Sequence, residues 1–253
     1  MSLATIAGLP IRKVADEPPS FNMLVYGDSG VGKTTLAASA DSLPEMRKIL
    51  VVDIEGGLLS IKNRYPNVES VRVTSWADMQ EVYNQLYAGD HGYRTVIIDS
   101  LSEAQKMSMD LVMRKLVDQH EERDPDVPSI REWNINIEQT RKFVRTFRDL
   151  PVNTIFTALA KSDKNQMTGA VRIKPSLSGK VADEVAAFLD IVSYYYVKEH
   201  DGENRRMLLC GATPGIVAKD RTGSLDQVMV EPTMSTIWNA VKGINSNDAA
   251  AES

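Results

Sequence analysis

Gly27-Asp28-Ser29-Gly30-Val31-Gly32-Lys33-Thr34, followed by Thr35, satisfies the pattern G-x-x-x-x-G-K-[ST] at every position. Its flanks decide how it is read. The apolar run Met23-Leu24-Val25-Tyr26 before it predicts a buried strand, and Leu36-Ala37-Ala38-Ser39-Ala40 after it predicts the opening of a helix. A loop that cradles phosphate needs that strand–loop–helix order. Its glycines let backbone N–H groups converge on phosphate oxygens without Cβ interference, and the helix start adds partial positive charge. In such a loop Lys33 reaches the β- and γ-phosphates, and the Thr34 hydroxyl is a ligand for Mg²⁺. Gly27, Asp28, Ser29, Gly30, Val31, Gly32, Lys33, Thr34 and Thr35 are the expected contacts to a nucleoside triphosphate.

The neighbouring segments supply the rest of an α/β layout. Residues 48–53 form a second apolar, β-branched strand, ending in Asp53-Ile54-Glu55-Gly56-Gly57. That places carboxylates at a strand's C-terminal end, the edge where ligands sit in open α/β sheets. Residues 68–73 read as a shorter strand. Ser75 then caps a helix over residues 76–88, with Met79, Val82 and Leu86 at helical spacing. Arg94-Thr95-Val96-Ile97-Ile98-Asp99-Ser100 is an apolar strand ending in aspartate, which makes Asp99 the second expected Mg²⁺ ligand beside Thr34. A long helix follows over residues 101–119, its methionine-rich stripe reading as core.

Residues 117–132 carry six acidic and two basic side chains with two prolines, and predict an exposed loop. A helix near 133–150 leads into a strand over 152–157. Residues 161–180 reverse the charge balance, with five basic residues against one acidic, and their glycines and proline predict a loop or mobile hairpin. Lys161, Lys164, Arg172 and Lys174 are candidate phosphate contacts for a nucleic acid; a basic surface loop without a ligand is the alternative. The span contains no aromatic residue, so base stacking finds no support in it. A short helix over 179–188, a hairpin of 191–197 with 206–210 about Asp201-Gly202, and a last helix over 234–241 complete the chain. Residues 1–20, with three prolines, read as an extended arm, residues 21–244 as one domain, and residues 245–253 as a disordered tail.

The chain has 253 residues and a net charge of −5, so any nucleic-acid contact must come from a local patch rather than the whole surface. No apolar run reaches 18 residues, which excludes a helical membrane span on sequence grounds. A single cysteine, Cys210, cannot form an internal disulfide and fits a reducing, cytoplasmic setting.

Hydrolysis needs a group that orients and deprotonates water near the γ-phosphate, and Glu55 is the best-placed candidate. Asp53 can hold that loop or touch metal, and Thr157 can sense the γ-phosphate or fill core. The phosphate loop, the strand ending Asp53-Ile54-Glu55, and Ile97-Ile98-Asp99-Ser100 together resemble the core of the RecA-like ATPases. The resemblance implies a RecA-like P-loop fold: α/β, a mostly parallel central sheet flanked by helices, with C-terminal β-hairpins. It implies ATP as the nucleotide and Glu55 as catalytic base. Lys219-Asp220-Arg221-Thr222-Gly223 resembles a Lys-Asn-Arg-Phe-Gly motif of one branch, with Asp220 and Thr222 departing from it. There the lysine and arginine reach a neighbouring subunit's γ-phosphate, which implies catalytic roles for Lys219 and Arg221 in a ring or filament. The overall likeness to short phage-encoded RecA-like proteins implies action on single-stranded DNA in recombination, annealing or replication, in a bacterial host's cytoplasm. A small-molecule kinase and a nucleotide-gated assembly factor are the competing classes. The acidic character of residues 117–132 counts against an arginine-rich kinase lid.

Overall fold

The computed structural model describes residues 20–120, 122–164 and 169–243, together with the backbone of Thr5–Ile6 and Leu9–Pro10. In chain order the elements are β1 (Thr5–Ile6), β2 (Leu9–Pro10), β3 (Asn22–Gly27), α1 (Lys33–Ala38), β4 (Ile49–Asp53), β5 (Glu69–Arg72), α2 (Trp76–Ala88) and β6 (Thr95–Asp99). They continue with α3 (Leu101–Gln119), α4 (Ile130–Arg148), β7 (Asn153–Lys164), β8 (Val171–Pro175), α5 (Val181–Phe188) and β9 (Ile191–His200). Last come β10 (Glu203–Leu209), β11 (Lys219–Asp220), β12 (Val228–Val230) and α6 (Met234–Lys242). Most of the expected arm at residues 1–20 and the tail at 245–253 lie outside the described residues; β1 and β2 pair with each other in a small antiparallel sheet.

The main sheet runs β12-β10-β9-β3-β7-β6-β4-β5, with β11 added to β9 and β8 to β7. From β9 to β5 every pairing is parallel; the additions at β10, β12, β11 and β8 are antiparallel. This is the mostly parallel α/β sheet, flanked by helices and extended by C-terminal antiparallel strands, that the sequence predicts. Parallel strands covered on both faces must be apolar on both, and the strand residues divide by parity. Leu24, Tyr26, Val96, Ile98 and Phe156 face a core completed by residues of α2 to α5. Met23, Val25, Ile97 and Ile155 face the other, closed by α1 and α6 through Leu36, Ala37, Met234 and Trp238. Two cores sandwich one sheet.

Local chemistry sets the helix ends. Ser75 and Asp78 form a reciprocal capping box on α2, and Ser129 with Glu132 forms another on α4. That second box starts α4 at Ile130, earlier than the expected helix near 133. β7 also differs from expectation: it continues through Lys164 instead of ending at Thr157, because β8 folds back on it in register from Ala160–Pro175 to Lys164–Val171.

The parallel arrangement brings the C-terminal ends of β3, β4, β6 and β7 to one edge. Asp53 sits in register with Asp99, and Gly27 with Leu159. β3 lies between β7 and β9, so the chain returns to both sides of the phosphate-loop strand and opens a crevice at that edge.

Candidate nucleotide-binding site

The loop after β3 is shaped by two close approaches. A Cβ at Gly27 would stand 2.1 Å from the Tyr195 carbonyl oxygen, so only glycine lets β3 end against β9. Gly32, at φ 103°, is the left-handed residue that precedes α1. Val31 is buried between them and anchors the loop in the core beside α1. Lys33 Nζ donates to the loop's own carbonyls, Gly27 O at 3.0 Å and Asp28 O at 2.8 Å. Burial pulls the Lys33 pKa down, and the carboxylates of Glu55, Asp99 and Asp28 work against that fall. An ammonium held on the loop's own carbonyls is suited to an arriving anion.

Asp99, 3% exposed at the end of β6, accepts from Thr34 Oγ1 at 2.9 Å on one oxygen and from Thr157 Oγ1 on the other. Hydroxyl and carboxylate oxygens side by side are a hard donor set that fits Mg²⁺, whose remaining positions are ordinarily taken by phosphate and water. Thr157 therefore lies against the Asp99 carboxylate and orients it. Of its two expected roles, sensing the γ-phosphate and filling core, the buried position and the bond to Asp99 favour the second.

Glu55 reaches the same edge. The Ile54 and Glu55 N–H groups donate to Asp99 O at 2.8 and 3.3 Å, which stitches the turn after β4 to the end of β6. The Glu55 carboxylate is exposed and accepts a short hydrogen bond from Ser100 Oγ. Of its two expected roles, holding the loop or touching metal, the contacts of Asp53 fit the first. One oxygen accepts from Gly56 N at 2.6 Å and the other pairs with Arg72 at 3.2 Å, so Asp53 shapes the turn that presents Glu55.

The remaining predicted residues lie elsewhere. Lys219 Nζ donates to Ala186 O and Leu189 O, and Arg221 donates to Ala187 O and pairs with Asp190 at 2.8 Å. Cations expected at a neighbour's phosphate are thus tied to the C-terminal end of α5 in their own chain, where free carbonyls and the helix dipole favour positive charge. On the β7–β8 hairpin, Lys174 pairs with Asp163 at 2.5 Å, Arg172 with Asp183 at 3.0 Å, and Lys161 Nζ donates to Leu177 O. Lys164 is exposed and has no ion pair among the described residues. Two of the four expected DNA contacts are thereby partly neutralised by carboxylates, and a third is engaged by a backbone carbonyl.

Sequence reading missed Arg206. From β10 its Nε donates to Val31 O at 3.1 Å and lies 3.3 Å from where a Cβ on Gly32 would stand, so it braces the phosphate loop from the side. Its backbone is clasped by Glu231, which accepts from Arg206 N at 2.7 Å and donates to Arg206 O at 2.8 Å. Nothing in the Arg205-Arg206 pair on the polar half of a strand announces a partner 175 residues away.

Among the described residues no helix is long and apolar enough to cross a membrane. The family model for the AAA domain matches residues 20–222. No curated protein matches the chain. Among solved structures the chain is similar to a KaiC-like protein from Pyrococcus horikoshii OT3, at 16% identity and a TM-score of 0.46, over 75% of this chain and 77% of that one. It is also similar to the flagellar accessory protein FlaH from Methanocaldococcus jannaschii, at 12% identity and a TM-score of 0.44, over 83% and 84% of the two chains.

Proposed function

Because the chain belongs to the AAA domain family, we propose that it binds ATP with Mg²⁺ on loop 27–35, hydrolyses it, and couples turnover to single-stranded DNA. The setting proposed is phage-type recombination, annealing or replication, with the protein acting as a ring or filament in the cytoplasm. The observation that carries the ATPase reading is the convergence of Thr34, Asp99, Ser100 and Glu55 from three separate strand ends on one edge.

In this reading the loop N–H groups and Lys33 hold the β- and γ-phosphates. Thr34 and Asp99 hold Mg²⁺, which when bound neutralises phosphate charge. Glu55 accepts a proton from the water that attacks the γ-phosphorus, the bond to the β–γ bridging oxygen breaks, and ADP and inorganic phosphate leave. Ser100 keeps the Glu55 carboxylate aimed at the edge. The link to DNA is supported by β7: the strand that places Thr157 against Asp99 runs on without a break into the hairpin that bears Lys164.

The test is ATP hydrolysis by the purified chain, with and without single-stranded DNA, across protein concentration. DNA stimulation with a steeper-than-linear concentration dependence is the expected result. Linear, DNA-blind turnover would keep the ATPase and remove its coupling to DNA and assembly.

A further inference from the structure

The C-terminal hairpin carries a feature that the phosphate site does not use. Tyr194, Tyr196 and Lys198 alternate onto one face of β9, and the register of β10 sets Leu209, Met207 and Arg205 opposite them. The Tyr194 and Tyr196 rings stack with centroids 5.2 Å apart and planes 10° from parallel. Tyr26, fully buried and paired with Tyr194 across the β3–β9 ladder, tilts onto it at 5.3 Å and is itself held by a 2.8 Å hydrogen bond to Val217 O, so the Tyr194 ring is fixed from the side. Both outer tyrosines are half-exposed and Lys198 is exposed.

The charges on this face are not fully spent. Lys198 has no hydrogen bond or ion pair among the described residues. Arg205 gives one terminal nitrogen to Glu203 at 3.0 Å, while its Nε has no partner. His200 shares this face, and Glu203 is its acidic member. Val230 extends the apolar strip across β12, paired with Met207 and 40% exposed.

Two stacked rings on a rigid strand, flanked by cations on the same face, match a polymer that alternates flat bases with phosphates. We infer that Tyr194 and Tyr196 form a base-stacking platform for single-stranded DNA, with Lys198 and Arg205 contacting its backbone. The inference rests on the DNA reading above and deepens it, because the basic hairpin β7–β8 offers no ring on which a base can stack. Stacking of this kind tolerates any base and is salt-sensitive through its phosphate contacts. The platform also adjoins the phosphate loop: Tyr26, whose ring packs on Tyr194, is followed directly by Gly27, which ends against the Tyr195 carbonyl. Bases bound on the tyrosines and a triphosphate bound on the loop would share that wall.

The experiment measures binding of a fluorescent 20-nucleotide dT strand, and of an abasic strand of the same length, to the full chain and to Tyr196→Ala, Tyr196→Phe and Lys198→Glu. Binding of a fluorescent ATP analogue is measured alongside, with thermal melts to confirm folding. Expected for Tyr196→Ala is a loss of about 5- to 150-fold on dT, the range seen for one stacked base, with the abasic strand and the ATP analogue unaffected. Tyr196→Phe keeps the ring and should retain affinity; Lys198→Glu should weaken both strands. If the wild-type chain binds dT and Tyr196→Ala binds it equally well, the platform is wrong and the DNA reading stands. If the wild-type chain binds no strand at all, both fall. If Tyr196→Ala loses the ATP analogue in step with dT, the ring holds the nucleotide's own base and the inference is overturned.

Discussion

Thr34 Oγ1 donates to Asp99 Oδ2 across 2.9 Å, joining the first turn of α1 to the end of β6. The two donors of the proposed Mg²⁺ site thus support each other, and Thr157 fixes Asp99 from below. Asp99→Asn replaces one of these oxygens by an amide and removes the charge. Hydrolysis should then fall by about 10²- to 10⁴-fold, the scale of several kcal/mol that metal stabilisation supplies. Because the loop itself is intact, affinity for the nucleotide measured in EDTA should stay within a few-fold of wild type. A variant that hydrolyses normally at millimolar Mg²⁺ would remove Asp99 from the metal site.

Glu55 and Ser100 separate two roles. Glu55→Gln removes the proton acceptor while keeping size and hydrogen-bonding capacity, so kcat should drop by about 10²- to 10⁴-fold with KM for ATP little changed. Ser100→Ala removes only the hydroxyl that orients Glu55 and caps α3. Its kcat should fall by less, about tenfold or below, with a modest loss of thermal stability from the missing cap. Steady-state kinetics on the pair checks this; equal losses would mean that Ser100 touches the reaction itself.

The pH dependence of binding follows from Lys33. Burial holds its pKa below the ordinary 10.5 in the free chain. A bound triphosphate brings negative charge to the ammonium and raises that pKa again. Between the free-chain value and the bound value, binding must therefore take up protons, and affinity must fall as pH rises through the window below 10.5. Calorimetry at a series of alkaline pH values below 10.5, in two buffers of different ionisation enthalpy, should report proton uptake. Lys33→Met should abolish both the uptake and most of the affinity.

The parts of this arrangement that were legible in the sequence are those fixed by neighbours in the chain. Gly32 needs a left-handed turn, Ser75 needs the N–H groups of the helix it caps, and Asp99 closes an apolar strand, so each announces itself within a few residues. The extension of β7 was not legible. Its residues past Ala160 are polar and charged, and only the cross-strand partner β8, through pairs such as Lys174 with Asp163, makes them a strand. The start of α4 was written in Ser129 and Glu132 but hidden among acids and prolines. Glu55 was legible as a candidate base from its place just after β4, but the bond that aims it was not, because it comes from Ser100 on a different strand end.

Arg206 tests whether the loop needs its brace. Arg206→Ala deletes the bond to Val31 O while Glu231 can still receive the backbone N–H. One hydrogen bond from an exposed guanidinium is worth about 0.5–1.5 kcal/mol. ATP affinity should therefore weaken about threefold to tenfold with kcat nearly unchanged, and Arg206→Lys, which can restore one donor, should recover part of the loss. Isothermal titration of the three proteins decides it; an unchanged affinity in Arg206→Ala would make the contact incidental.

Lys219 and Arg221 pose the sharpest conflict between motif and geometry. As motif residues they belong at a neighbour's γ-phosphate, and alanine in either place should then erase assembly-dependent turnover. As the structure places them, they satisfy the last carbonyls of α5 and the Asp190 carboxylate, which itself accepts from Asn22 N at the start of β3. Removing Lys219 leaves two helix-end carbonyls without a protein donor, a cost of about 1 kcal/mol that should lower Tm by about 2–4 °C. Burial pulls the Lys219 pKa down and the repulsion of Arg221 adds to this, while the Asp190 carboxylate opposes it. Geometry favours the structural role, and the expected result for Lys219→Ala is a lower Tm with turnover within about twofold of wild type at 20 °C. A collapse of turnover at unchanged Tm would show that the lysine leaves α5 to act across a subunit boundary.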